Sequence, residues 1–249
     1  MESARVLRNT QIIILGICIA AATIISSIIL SQGLLKVMKF TREQITVTGS
    51  AQRNIKSDFI VWSGVFSRRQ ATLAVAYKTL QEDLSKVKVY LASKGVDEKE
   101  VVVYPVVTAT IYKKNKEGND TNDIQGYTLS QAVEVRSKNV DKITIVSRES
   151  TELIDQGVEF VSGAPEYTYT KLDELKIKML AKASENAKQR AESMVKATGN
   201  KIGFIRSARM GVFQITPINS TDVSDYGVND TSSLEKKVTA VVTASFAIE

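Results

Sequence analysis

Uncharged positions dominate the start of the chain. From Asn9 to Leu35 no side chain is charged, and Ile12 to Leu35 is almost wholly apolar. At ~1.5 Å per residue, a helix of this length covers a ~30 Å hydrocarbon core with some tilt. A helix is the expected form, because lipid offers no partners to backbone polar groups. A cleaved signal peptide is the rival reading. Its apolar region is usually shorter, about 7–15 residues, and ends at a small-residue site. Here Ala20, Ala21 and Ala22 sit in mid-run and Thr23 to Leu30 follow. Residues 12–35 are therefore read as a retained membrane anchor, and 36–43 as a short polar tether.

Beyond the tether the pattern changes period. Gln44–Ser50 and Ser57–Arg68 alternate as strands do. In the second, Phe59, Val61 and Val65 share one face and Ile60, Trp62 and Phe66 the other, which predicts a strand covered on both sides. Gln70–Lys94 follows as a helix with an apolar stripe of Leu73, Tyr77, Leu80, Leu84, Val87 and Leu91, stopped by Gly95. The stripe fits a helix lying on its own sheet, or a short coiled-coil seam. Val101–Tyr112 is a strand holding Pro105, which predicts a sheet edge or a bulge.

Lys113–Asp123 reads as a polar hairpin loop, Ile124–Arg136 as a strand with Tyr127, Leu129, Val133 and Val135 in phase, and Asn139–Gln156 as a helix. Gly157–Thr168 is a strand broken near Gly163-Ala164-Pro165. Lys171–Thr198 is a long helix closed by Gly199, with Ala183, Ala187 and Ala191 in line and Met179 and Met194 near the same face. Such a small-residue stripe fits close packing on the domain's own sheet, or a tight contact between subunits. Lys201–Thr216 and Glu235–Ile248 are the last strands. Between them, Pro217–Ser233 is polar and expected to be a mobile surface loop.

This order of elements predicts an α+β fold of largely antiparallel sheets with packed helices. Its strand–helix–strand units allow two subdomains. The division expected is 1–40 for a cytoplasmic tail, anchor and tether, and 41–249 for an extracytoplasmic domain.

Charge changes the picture little. The chain of 249 residues carries a net +6. Arg5, Arg8, Lys36, Lys39 and Arg42 against Glu2 place +4 of that beside the apolar run, so the basic balance gives no case for nucleic acid. The flanking charges are nearly even on the two sides, so orientation rests on the short leading tail staying inside. Arg68-Arg69 and Lys113-Lys114 read as solvated surface. There is no histidine, and the one cysteine, Cys18, lies in the apolar run. A Ser-His-Asp triad, a histidine-ligated metal, an intrachain disulfide and a cysteine metal cluster are excluded. The acidic residues are scattered, with no pair spaced for acid–base work. No catalytic, cofactor-binding or metal-binding residue is assigned, and no cofactor is expected. Sequons at Asn119, Asn219 and Asn229 lie in polar loops where such triplets arise by composition alone.

Four stretches carry a family resemblance: ITVTGSAQRNIKSDFIVWSGV, IQGYTLSQAVEVRSKNVDKITIVSRESTELIDQG, AKASENAKQRAESMVKATGNKIGFI and VTAVVTASFAI. In this order they resemble the SIMPL-domain family of mostly bacterial exported proteins, over nearly all of 44–249. The chain departs from the family at Ser57, where a proline often precedes the aspartate, and at Gln131, where an asparagine is common. The resemblance implies an envelope-associated module linked to stress tolerance and homo-oligomer formation, with no catalytic constellation. Gly126, Tyr127, Asp155, Gly199 and Gly203 match recurrent family positions, and structural roles are expected for all five. The reading is a non-enzymatic, single-pass protein of the cell membrane that self-assembles. A ligand- or peptide-binding module serving a membrane complex is the alternative, and a hydrolase using Lys, Ser or carboxylates a more distant one.

Overall fold

The computed structural model describes residues 2–249, with side chains at 14–35, 37 and 43–249. Helix α1 runs Glu2–Arg42 without a break. The tether expected at 36–43 is thus helical almost to its end, because LLKVMKFTR contains neither glycine nor proline to stop the helix. Within α1, Ile14–Leu35 has a mean hydropathy of 2.4 and is long and apolar enough to cross a membrane. A retained anchor and a signal sequence share that property.

The remaining chain forms β1 (Gln44–Lys56), β2 (Phe59–Gln70), α2 (Leu73–Ser93), β3 (Val101–Val103), β4 (Val107–Lys114) and β5 (Asp120–Ser137). Then come α3 (Val140–Glu149), α4 (Glu152–Asp155), β6 (Glu159–Ser162), β7 (Glu166–Thr168), α5 (Leu172–Lys196) and β8 (Ile202–Met210). The last are β9 (Gln214–Pro217), β10 (Val228–Asn229) and β11 (Glu235–Ile248). The α+β class and the antiparallel sheets are as the sequence predicts, and the chain divides into two compact units.

The larger unit, residues 51–180 and 212–240, holds a six-stranded sheet. β2 is central. It pairs antiparallel with β5 from Ile60↔Ser137 to Gln70↔Tyr127, and on its other side with β6 and β7. Among the described residues β3 and β4 pair only with β5, so the Pro105 strand is an edge, broken where proline cannot donate. Ile60, Trp62, Phe66, Leu129, Val133 and Val135 point to one face and are buried under α2 and α3. Gly64 lies in this row because the Phe160 ring occupies the place of its side chain; a Cβ would stand 2.8 Å from Cε1.

Several expectations fail here. β2 is fully covered on one face only: on the other, Phe59 and Val61 are half-buried, Val65 is 43% exposed, and its neighbour Val161 69%. On α2 the buried seam is Ala76, Leu80, Asp83, Val87, Tyr90 and Leu91, while Leu73 and Tyr77 are exposed. Leu73 lies in line with the seam but at the first residue of the helix, and Tyr77 lies on its flank; counting only large apolar residues placed the stripe there. The loop expected at 113–123 is mostly strand, with a turn only at 115–119 between β4 and β5. There the Asn115 side chain accepts from the backbone N–H groups of Glu117 and Asn119. The helix expected at 139–156 is also divided into α3 and α4, and Lys201–Thr216 into β8 and β9.

The smaller unit comprises residues 1–50, 181–211 and 241–249. In it the end of β11 pairs antiparallel with β8, from Val242↔Met210 to Ile248↔Ile202. Ala183, Ala187 and Ala191 are fully buried. A Cβ at Gly49 of β1 would lie 2.7 Å from Cα of Ala187, so strand and helix backbones touch. The alanine stripe therefore packs on the chain's own strand, the first of the two readings, and Met194 is exposed.

Candidate functional site

Two buried charges and one bare sheet face stand out in the larger unit. Asp83 is 1% exposed on the seam of α2. Arg68, near the end of β2, meets it with a two-pronged contact: Nε donates to Oδ2, and Nη2 to Oδ1 at 2.8 Å. Nη2 also donates to the Gly157 carbonyl oxygen. The hydrogen bond to Asp83 raises the Arg68 pKa further above its ordinary value. Arg68 is thus a half-buried tie between β2, α2 and the turn after α4, not the solvated residue expected; Arg69 is exposed as foreseen. The signal for Asp83 was present in the sequence, as a carboxylate three and four residues from Leu80 and Val87 on an apolar face.

Lys236 is the second buried charge, 3% exposed. Its Nζ donates to the Tyr167 carbonyl oxygen at 2.6 Å and to that of Asp230. Desolvation pushes its pKa down, against the opposing pull of the Asp230 carboxylate. Burial pushes the Asp230 carboxyl up, but bonds from Ser232 and Ser233 outweigh it and the net shift is downward. Around it the chain is ordered: β10 pairs with β9, and the Gln214 side chain holds both the N–H and the C=O of Ser224. The segment expected as a mobile loop is thus pinned to its own sheet. Lys236 too was readable, since the alternation Val238, Ala240, Val242 extends back to it.

The matched family positions behave structurally where they can be judged. Gly126 passes the backbone of Gln70, whose carbonyl oxygen would lie 2.7 Å from a Cβ. Tyr127 packs half-buried on the core. Gly199 takes φ +79° at the end of α5, and Gly95 φ +76° after α2, both in the left-handed region. A Cβ at Gly203 would approach the Glu249 side chain, 2.9 Å from Cδ. Asp155 closes the short α4. Asp58 accepts from the Thr170 N–H at 2.7 Å and its hydroxyl at 2.8 Å, ordering the approach to α5. Among the described residues, no group of three acidic, cysteine or histidine side chains is placed to hold a metal.

The bare face is the outer side of the six-stranded sheet. Strand pairing sets Val161, Val65 and Ala132 side by side. Tyr104 extends the row, bonding through its N–H to the Ala132 carbonyl oxygen and through its hydroxyl to Glu134. Val65, Val161 and Tyr104 are all exposed, an apolar row across three strands and the link between β3 and β4.

An α+β chain with two antiparallel-rich sheets and an apolar leading helix is the class that this architecture defines. The family model described as SIMPL, protein of unknown function (DUF541), matches residues 45–246, and the chain belongs to that family. No curated protein matches it significantly.

Proposed function

We propose that this is a non-enzymatic, membrane-anchored envelope protein whose sheet domain assembles with further copies of itself, in the service of stress tolerance. The observation that carries the reading is the bare apolar row Val161–Val65–Ala132–Tyr104. One exposed valine needs no explanation, but a contiguous row across an open sheet is the kind of surface that a partner covers. β8 adds a second open element, with Phe204 83% and Met210 58% exposed on a strand that pairs only with β11 among the described residues. Anchoring by Ile14–Leu35 raises the local concentration of neighbouring copies, so weak contacts suffice. The domain then sits outside the cytoplasm on a single span.

The test is the mass of the full-length protein in detergent micelles, by light scattering corrected for bound detergent. Several chains per particle are expected. The double variant Val65→Lys, Val161→Lys should bring the mass down to one chain without lowering the melting temperature. A single chain per particle for the unaltered protein at high micromolar concentration would remove the assembly reading.

A further inference from the structure

We infer that the groove between α2 and β3 binds a short, uncharged, extended segment of another polypeptide, which adds to the sheet beside Val101–Val103. The groove has a volume of about 340 Å³ and is mainly apolar. Val101 and Val103 line it from β3, Val89 and Ala92 from α2, and Val96 from the connection between them. That volume is at the low end of the ~300–1,000 Å³ usual for small binding sites and suits one or two aliphatic side chains.

Backbone pairing tells what lies along it. β3 has β5 on one side and no strand on the other among the described residues. The Tyr104 N–H donates to the Ala132 carbonyl oxygen at 2.9 Å. In an antiparallel pair the direction alternates by residue, so the Val102 groups face β5. The N–H and C=O of Val103 and the C=O of Val101 then face the open side, while the Val101 N–H is taken by Glu98. An extended backbone satisfies such an edge, and an acyl chain or other hydrocarbon does not. The edge runs beside the groove, so a strand laid on it drops alternate side chains between Val103 and Ala92.

Charge and length narrow the partner. The rim bears one cation, Lys88, and one anion, Glu98, which complements a segment without net charge. Pro105 ends the edge just beyond Tyr104, so only a short stretch pairs, as on other edges kept safe from indiscriminate strand addition. This inference stands apart from the assembly reading, since the groove lies on the α2 side of the sheet and the apolar row on the other.

The test uses full-length protein in phosphatidylcholine nanodiscs and fluorescein-labelled octapeptides that alternate threonine with valine, leucine or phenylalanine. Saturable anisotropy changes are expected. N-methylation of alternate peptide nitrogens should weaken binding at least tenfold, because it removes the donors that pair with β3. Ala92→Phe, at an exposed position on the wall, should do the same with Trp62 emission and melting temperature unchanged. Val103→Pro, which removes an outward N–H, should match it. Three results would overturn the inference: no peptide binds, N-methylation has no effect while myristate competes, or Ala92→Phe changes the mass of the protein's own assembly instead of peptide affinity.

Discussion

Asp83 is buried on a helix seam, and the burial is tolerable only because Arg68 answers it with two hydrogen bonds. Removing one partner of such a pair is costlier than removing both, since the survivor stays buried without a counter-charge. Asp83→Asn should therefore destabilise the domain by about 3 kcal/mol in urea unfolding, read from the emission of Trp62. Arg68→Met with Asp83→Leu should recover most of that loss.

Tyr90, 3% exposed on the same helix, carries a different signature. Burial pushes its phenol up to about 12, and its hydroxyl donates to the Val146 carbonyl oxygen at 3.2 Å. The folded pKa lies above the unfolded value of 10.0, so the folded state holds this proton more tightly. The stability linked to Tyr90 is whole below pH 10 and is lost as pH rises from 10 towards 12. Melting temperatures at pH 9 and 11.5 should show the fall, and Tyr90→Phe should make it smaller.

At the level of elements, the junction of β1 with α5 is a close contact of backbone on backbone. Gly49 and the alanine row let the two backbones touch, and a branched side chain at Gly49 has no room against Ala187. Gly49→Val should push strand and helix apart and cost about 2–3 kcal/mol, as overpacking does in close-packed cores. Circular dichroism with chemical denaturation reads the loss, and Gly33→Ala, where an added Cβ meets nothing within 4 Å, serves as a mild comparison. Most of these elements were legible because their period was clear: β11 alternates from Glu235 to Ala244, and α5 is a long helix with a glycine stop. The errors fell where one period hides two outcomes. Apolar residues on both faces of β2 gave no sign that one face is left to solvent, since helices cover only one side of the sheet. A polar run at 113–123 looked like loop because an exposed ribbon needs no apolar face to alternate.

For the molecule as a whole, α1 poses the choice between a membrane anchor and a signal sequence. Its Ile14–Leu35 side chains are all exposed, a surface that water does not tolerate and a bilayer does. Full-length protein should remain with membranes after carbonate extraction, and protease added to spheroplasts should digest the sheet domain. A mature N-terminus beyond residue 30 would identify a cleaved signal instead. The sequence by itself determined the apolar helix, the α+β class, the interruption of a strand at Pro105 and the absence of histidine chemistry. Each follows from local period or composition, which act before any long-range contact forms. Only the tertiary structure decided that Asp83 meets Arg68, that Lys236 is held by two carbonyl oxygens, and that the alanine row faces Gly49. It also set the apolar row on the outer sheet face and the groove beside β3. Those depend on strand register and on which face a helix covers, and both are fixed by the packing of residues far apart in the chain.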